Sequence, residues 1–224
     1  MAWPKILVLV RHAESEGNIR TADERAGFSV ATHAYGLTER GKKQATITGQ
    51  YLRKRFEKFD TYYVSYYERS RQTMRLMYPD AHVYEDPRLA EAQRGIWHTM
   101  TRDEITARYP DEIRRKEREG VYHYRPIGGE NWPDVELRIH SFLGTLARDC
   151  DGQTVLMVVH GNWLILLQRL LHHFSIEEGV RRHEAGPFEN ASVTVYEGKS
   201  ARGKSRLVLK KENTVPWKDK LSHP

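Results

Sequence analysis

Two short apolar runs constrain this chain more than anything else in it. Lys5 to Val10 (KILVLV) and Thr154 to Val159 (TVLMVV) are almost continuously aliphatic, and each runs straight into a polar, histidine-bearing stretch, Arg11-His12 and His160-Gly161. Strands apolar on both faces must be covered on both faces, which is the habit of parallel strands buried between helix layers. Three further runs, Thr61 to Ser65, Ala191 to Glu197 and Arg206 to Lys210, read as strands by the same composition. Between the runs, apolar residues recur every three or four positions over 38–56, 69–78, 135–149 and 162–173, the period of helices. Thr38 suits the N-cap of the first, and Pro133 suits the first turn of the third. The expected fold is therefore α/β: a three-layer sandwich with a mostly parallel central sheet flanked by helices on both faces.

The stretch 101–119 differs. Arg102, Arg108, Arg114, Arg115, Lys116 and Arg118 alternate there with a comparable number of acids, so it reads as a solvated helical excursion within a lid-type segment at about 98–127. No repeat or low-complexity linker divides the chain, and its 224 residues suit a single domain, 1–224, with a substantial core. Only the end, from about Glu197, looks like a separate basic strand and tail. The single Cys150 rules out an intrachain disulfide and fits a reducing compartment. The apolar runs fall far short of the ~20 residues needed to span a bilayer, and the N-terminus lacks the long apolar core of a signal peptide. The expectation is a soluble, cytoplasmic protein with no membrane partner; homo-oligomerisation is left open. The net charge is +6, and 199–220 alone carries eight basic and two acidic residues, so the excess belongs to the C-terminal stretch. With no nucleic-acid-binding motif beside it, that excess does not point to nucleic acid.

In open α/β sheets, ligands bind beyond the carboxyl ends of the strands, so His12 and His160 stand where chemistry is expected. Around them lie Arg11-His12-Ala13-Glu14-Ser15 with Asn18, then Ser65-Tyr66-Tyr67-Glu68-Arg69-Ser70-Arg71-Gln72-Thr73, Leu89-Ala90-Glu91-Ala92-Gln93-Arg94-Gly95-Ile96-Trp97, Gly128-Gly129-Glu130-Asn131-Trp132-Pro133-Asp134-Val135, and His160-Gly161. In this order and over most of the chain, the five elements resemble the histidine phosphatase superfamily, also called the phosphoglycerate mutase-like family. Three departures stand out: Ala13 replaces a glycine, Tyr66-Tyr67 replace Pro-Leu, and His98 follows Trp97 where many members have Glu-Gly. The alanine implies a backbone that tolerates a Cβ and has no need of positive φ.

The resemblance implies a covalent mechanism. His12 is the expected nucleophile, forming a phosphohistidine, and His160 the donor that stabilises the transferred group. A phosphate monoester is approachable only when its oxygens are neutralised. Arg11 and Arg69 have the forked guanidinium for that, and Asn18 with the backbone at Gly161 can complete the cradle. Glu91 is the expected general acid toward the leaving alkoxide, then base for water. Taken alone, Arg69 reads as a helix-surface charge and Glu91 as a loop carboxylate; it is the joint set that carries the chemistry. No metal and no cofactor are expected. The expected ligand is a small phosphorylated metabolite and the expected reaction phosphomonoester hydrolysis. Two alternatives stand beside it: cofactor-dependent mutase-type transfer, for which Arg114-Arg115 offers a weak parallel in a run of mixed charge, and a pseudo-enzyme that only binds a phospholigand.

Overall fold

The computed structural model describes residues 3–186, 188–201 and 204–221. Strands β1 (Ile6–Arg11), β2 (Thr61–Val64), β3 (Val83–Glu85), β4 (Thr154–Val159), β5 (Val193–Ala201) and β6 (Lys204–Thr214) form one sheet in the order β3-β2-β4-β1-β5-β6. The first four are parallel, and β5 and β6 are antiparallel additions beside β1. The two apolar runs are the central neighbours: Ile6 lies opposite Thr154 and Arg11 opposite Val159. The residues that follow, His12 and His160, therefore leave the sheet side by side.

Side chains alternate across the sheet, and both faces are covered. Leu7, Leu9, Val155, Met157 and Val159 pack with Ile139, Phe142 and Leu146 of α6 (Trp132–Asp149) and Trp163 to Leu167 of α7 (Gly161–His172). Val8, Val10, Leu156 and Val158 pack on the other face with Leu52 of α2 (Glu39–Arg53) and Met74 and Met77 of α3 (Glu68–Met77). The three-layer arrangement follows from that division. Caps set the helix starts: Thr38 Oγ1 accepts from Gly41 N–H at 3.0 Å, and Asn131 and Asp134 exchange side chain-to-backbone bonds at 3.0 Å each, with Pro133 in the first turn.

Two expectations are corrected here. The helical excursion consists of two helices, α4 (Arg102–Arg108) and α5 (Pro110–His123), because Pro110 disfavours helical backbone at Tyr109 and opens a new first turn. It is not wholly solvated, since Ile105, Glu112 and Tyr122 are buried. The expected strand at the basic end is present but is not set apart: β5 runs on to Ala201 and pairs with β6, eleven residues long, while Leu207 joins the main core. Its last residues, 222–224, lie outside the described part. Short β3, α1 (Ala22–Ala26) and α8 (Ile176–Glu184) have no counterpart in the sequence reading.

Candidate active site

The β1–β4 ladder runs one residue past the strand, with His12 N–H donating to Val159 O at 2.9 Å. The His12 ring then turns back so that Nδ1 lies 2.8 Å from Ala13 O. A carbonyl can only accept, so Nδ1 carries the proton and Nε2 holds the lone pair. Ala13 is fully buried, has no positive φ, and donates its own N–H to Thr73 Oγ1 at 3.0 Å, so the alanine fits this turn.

Arg69, in the first turn of α3, touches both histidines. Its Nε donates to His12 Nε2 at 3.1 Å and Nη2 to His160 Nδ1 at 3.3 Å, while Nη1 reaches Thr32 O at 2.9 Å. Guanidinium only donates, so His160 Nδ1 is an acceptor and its Nε2–H donates to Ser65 Oγ at 2.8 Å. Tyr67, one of the pair replacing Pro-Leu, lies under the Arg69 guanidinium at 4.5 Å and edge-on to His160 at 4.9 Å. Burial, and next the Arg69 charge, hold both imidazoles well below their ordinary pKa. Burial likewise lowers Arg69 to about 10. Arg11 is lowered by burial against the opposing influence of Glu91 and Glu189; it donates to Phe188 O and leaves Nε without a partner.

Glu91 faces these groups from the loop after β3. Its carboxylate accepts from its neighbour Ala92 N–H at 3.0 Å and from Asn162 N–H, in the first turn of α7, at 3.3 Å. The loop is latched from behind. Glu130 accepts from Gln93 N–H at 3.0 Å and takes a two-pronged bond from Arg138, whose Nη1 also holds the carbonyls of Arg88 and Ala90. Gly95 completes the latch with φ of 51°, where a Cβ would stand 1.9 Å from Ile127 O. Trp97 turns away, donating its indole N–H to Tyr124.

Arg11, His12, Asn18, Arg69, Glu91 and Gly161 thus line one cavity of about 310 Å³. His160 is brought to the same place but is fully buried behind it, touching the cavity through Arg69 and His12. Asn18 spends its carbonyl on Ser15 and Asn190 and lines the cavity wall. Arg114 and Arg115 do not enter: they pair with Asp111, Glu112 and Glu119 along α5. Trp132 and Tyr124 are packing residues, against Tyr122 and His183 and against Trp97 and Glu112. Four arginine and histidine side chains of the lining were not assigned to the site from sequence: Arg25, Arg94, His98 and His183. Only His98 had carried any signal, as a departure from a motif. Among the described residues no three His, Cys, Asp or Glu side chains are grouped to hold a metal ion, and no helix is long and apolar enough to cross a membrane.

Comparison with known proteins gives a consistent setting. The sequence model of the histidine phosphatase superfamily (branch 1) matches residues 7–210. The chain is 33% identical over 174 residues to a 2,3-bisphosphoglycerate-dependent phosphoglycerate mutase of Methylobacterium radiotolerans, covering 75% of this chain and 79% of that protein. It is 34% identical over 157 residues to phosphoserine phosphatase 1 of Hydrogenobacter thermophilus, covering 69% and 70%. Among solved structures, a mycobacterial glucosyl-3-phosphoglycerate phosphatase complexed with VO3 superposes with a TM-score of 0.70 at 25% identity, over 94% of this chain and 99% of that one. The alpha-ribazole phosphatase of Shigella flexneri, at 21% identity, shares the fold with a TM-score of 0.73 over 94% and 98%.

Proposed function

The chain belongs to the histidine phosphatase superfamily, and on that premise we propose that it is a phosphomonoester hydrolase working through a phosphohistidine on His12. The observation that carries the reading is the His12 ring, whose Nδ1–H is tied to Ala13 O while its Nε2 lone pair faces a guanidinium in a cavity that also holds a carboxylate.

Phosphate oxygens replace the imidazole nitrogens as partners of Arg69, with Arg11, the Asn18 amide and the N-terminus of α7 completing the cradle. Nε2 attacks phosphorus as the bond to the leaving oxygen breaks, and protonated Glu91 gives that oxygen its proton. In the second step Glu91 takes a proton from water, the water oxygen attacks phosphorus, and the bond to Nε2 breaks, releasing phosphate. His160 presents an acceptor to Arg69 at rest; to donate to the phosphoryl group it must first take up a proton, which an arriving dianion favours. Hydrolysis is favoured over mutase-type transfer because Arg114 and Arg115 are paired with acids of their own helix, outside the cavity.

Radiolabelled substrate quenched during turnover should leave acid-labile, alkali-stable phosphate on the protein, absent from His12→Ala. Release of phosphate from p-nitrophenyl phosphate between about pH 5 and 8 supports the reading. Isomerisation of 3-phosphoglycerate in the presence of bisphosphoglycerate, without net release, would sink it in favour of a mutase; binding without either would leave a phospholigand-binding module.

A further inference from the structure

The cavity holds more positive charge than one phosphate group needs. Four guanidinium groups, Arg11, Arg25, Arg69 and Arg94, line it against the single carboxylate of Glu91, a surplus of three with every histidine neutral. A phosphomonoester brings only about −1.5 to −2 at neutral pH. When Glu91 holds the proton that its role as acid requires, the imbalance grows by one.

The surplus has a location. Arg11 and Arg69 are buried beside His12, whereas Arg25, Arg94, His98 and His183 line the cavity from its less buried rim. Many arginines elsewhere on this protein have acids, among them Arg40 with Glu14, Arg125 with Asp134, Arg138 with Glu130 and Arg182 with Glu178, while others such as Arg20 and Arg53 donate to carbonyls. Among the described residues neither rim arginine has an acid. Arg25 donates only to the carbonyls of Gly17 and Arg20, at 3.0 and 2.7 Å, and is lowered by burial and then by Arg94. Burial, Arg94 and Arg25 together push His98 down to about 4, and His98 Nδ1 has just a long 3.4 Å contact to Thr32 Oγ1. His183 leaves Nδ1 buried without a partner. Gathered like charges destabilise the empty protein, and an anion seated among them relieves that cost.

We infer that Arg25, Arg94, His98 and His183 form a second anion-binding locus, and that the substrate is a small phosphomonoester carrying a further anionic group, a carboxylate or a second phosphate. This rests on the phosphatase reading for the word substrate, and on the charge arrangement for the rest. A cavity of about 310 Å³ is at the lower end for ligand sites, so both anions belong to one compact metabolite.

The test is calorimetric titration of His12→Ala protein with three pairs differing by one anionic group: 3-phosphoglycerate against glycerol 3-phosphate, phosphoserine against phosphoethanolamine, and fructose 1,6-bisphosphate against fructose 6-phosphate. At least one pair should differ by tenfold or more in favour of the extra anion, and the pair that does so distinguishes carboxylate from phosphate. Adding Arg94→Gln should reduce that ratio below about threefold, a residual preference of less than ~0.7 kcal/mol. Ratios near one in all pairs, no binding of any compound, or a preference untouched by both Arg94→Gln and Arg25→Gln overturn the inference. If His12→Ala does not fold, competition of the six compounds against p-nitrophenyl phosphate hydrolysis by the unsubstituted enzyme gives the same ratios. Turnover is scored separately: preference without phosphate release keeps the locus and removes the phosphatase reading, whereas hydrolysis without preference removes only the locus.

Discussion

At the scale of single residues, protonation decides what this site can do. His12 and His160 are held neutral by burial and by Arg69, and His98 is pushed down to about 4. The unfolded chain takes up protons on these rings as pH falls through their ordinary value near 6.5, while the folded chain does not. Stability contributed above that value is therefore lost as pH falls from about 7 toward 5. Each pH unit below that value costs about 1.4 kcal/mol per ring, or roughly 3–6 °C in Tm for a chain this size. Thermal melts should show the drop, and saturating phosphate or vanadate should shrink it, because an anion lets the rings accept protons. Glu91→Gln should slow an alkyl phosphate by about 10²–10⁴-fold but p-nitrophenyl phosphate by much less, since that leaving group hardly needs a proton; equal losses would remove Glu91 from the acid role. The residues of this centre were legible in the sequence because their types and order are chemically specific. What aims them was not: the partner of His12 Nδ1 is a backbone carbonyl, which any residue at position 13 would supply, and the rim arginines look like ordinary surface charges until the chain folds.

At the scale of elements, the Gly128-Gly129-Glu130 motif acts at one remove from the chemistry. Its Glu130 and Arg138 of α6 hold the Glu91 loop through five hydrogen bonds to Gln93, Arg88, Ala90 and each other. Arg138→Leu takes the cation from Glu130 and the donor from Ala90 O, while Arg88 O keeps Trp163 N–H, and should cost about 1–3 kcal/mol in a denaturant titration. Turnover of poor leaving groups should fall with it. Gly95→Ala, which forces a Cβ into Ile127 O at positive φ, should lower Tm and displace the same loop. Periodicity located β1, β2, β4 and helices α2, α3, α6 and α7 to within a few residues because burial imposes it directly. Strand β3 escaped because three residues carry no period, and the charge pattern that marked the excursion did not show its break into two helices at Pro110.

At the scale of the whole molecule, the surplus of positive charge sits on β6 and its surroundings, and β6 is built into the sheet through β5. Ending the chain after Lys199 should therefore yield an aggregated or unfolded product by size exclusion and circular dichroism; a soluble, active product would restore the idea of a dispensable tail. The pairing of β1 with β4 has another consequence, in the time domain. The strands that deliver His12 and His160 are adjacent in space yet roughly 150 residues apart along the chain, with two other parallel strands and most of the helices formed in between. Closing so long a loop is a slow, non-local event in folding. Recovery of catalysis after dilution from denaturant should consequently trail the return of helical signal and coincide with the last kinetic phase, so that an active molecule is one whose folding has finished.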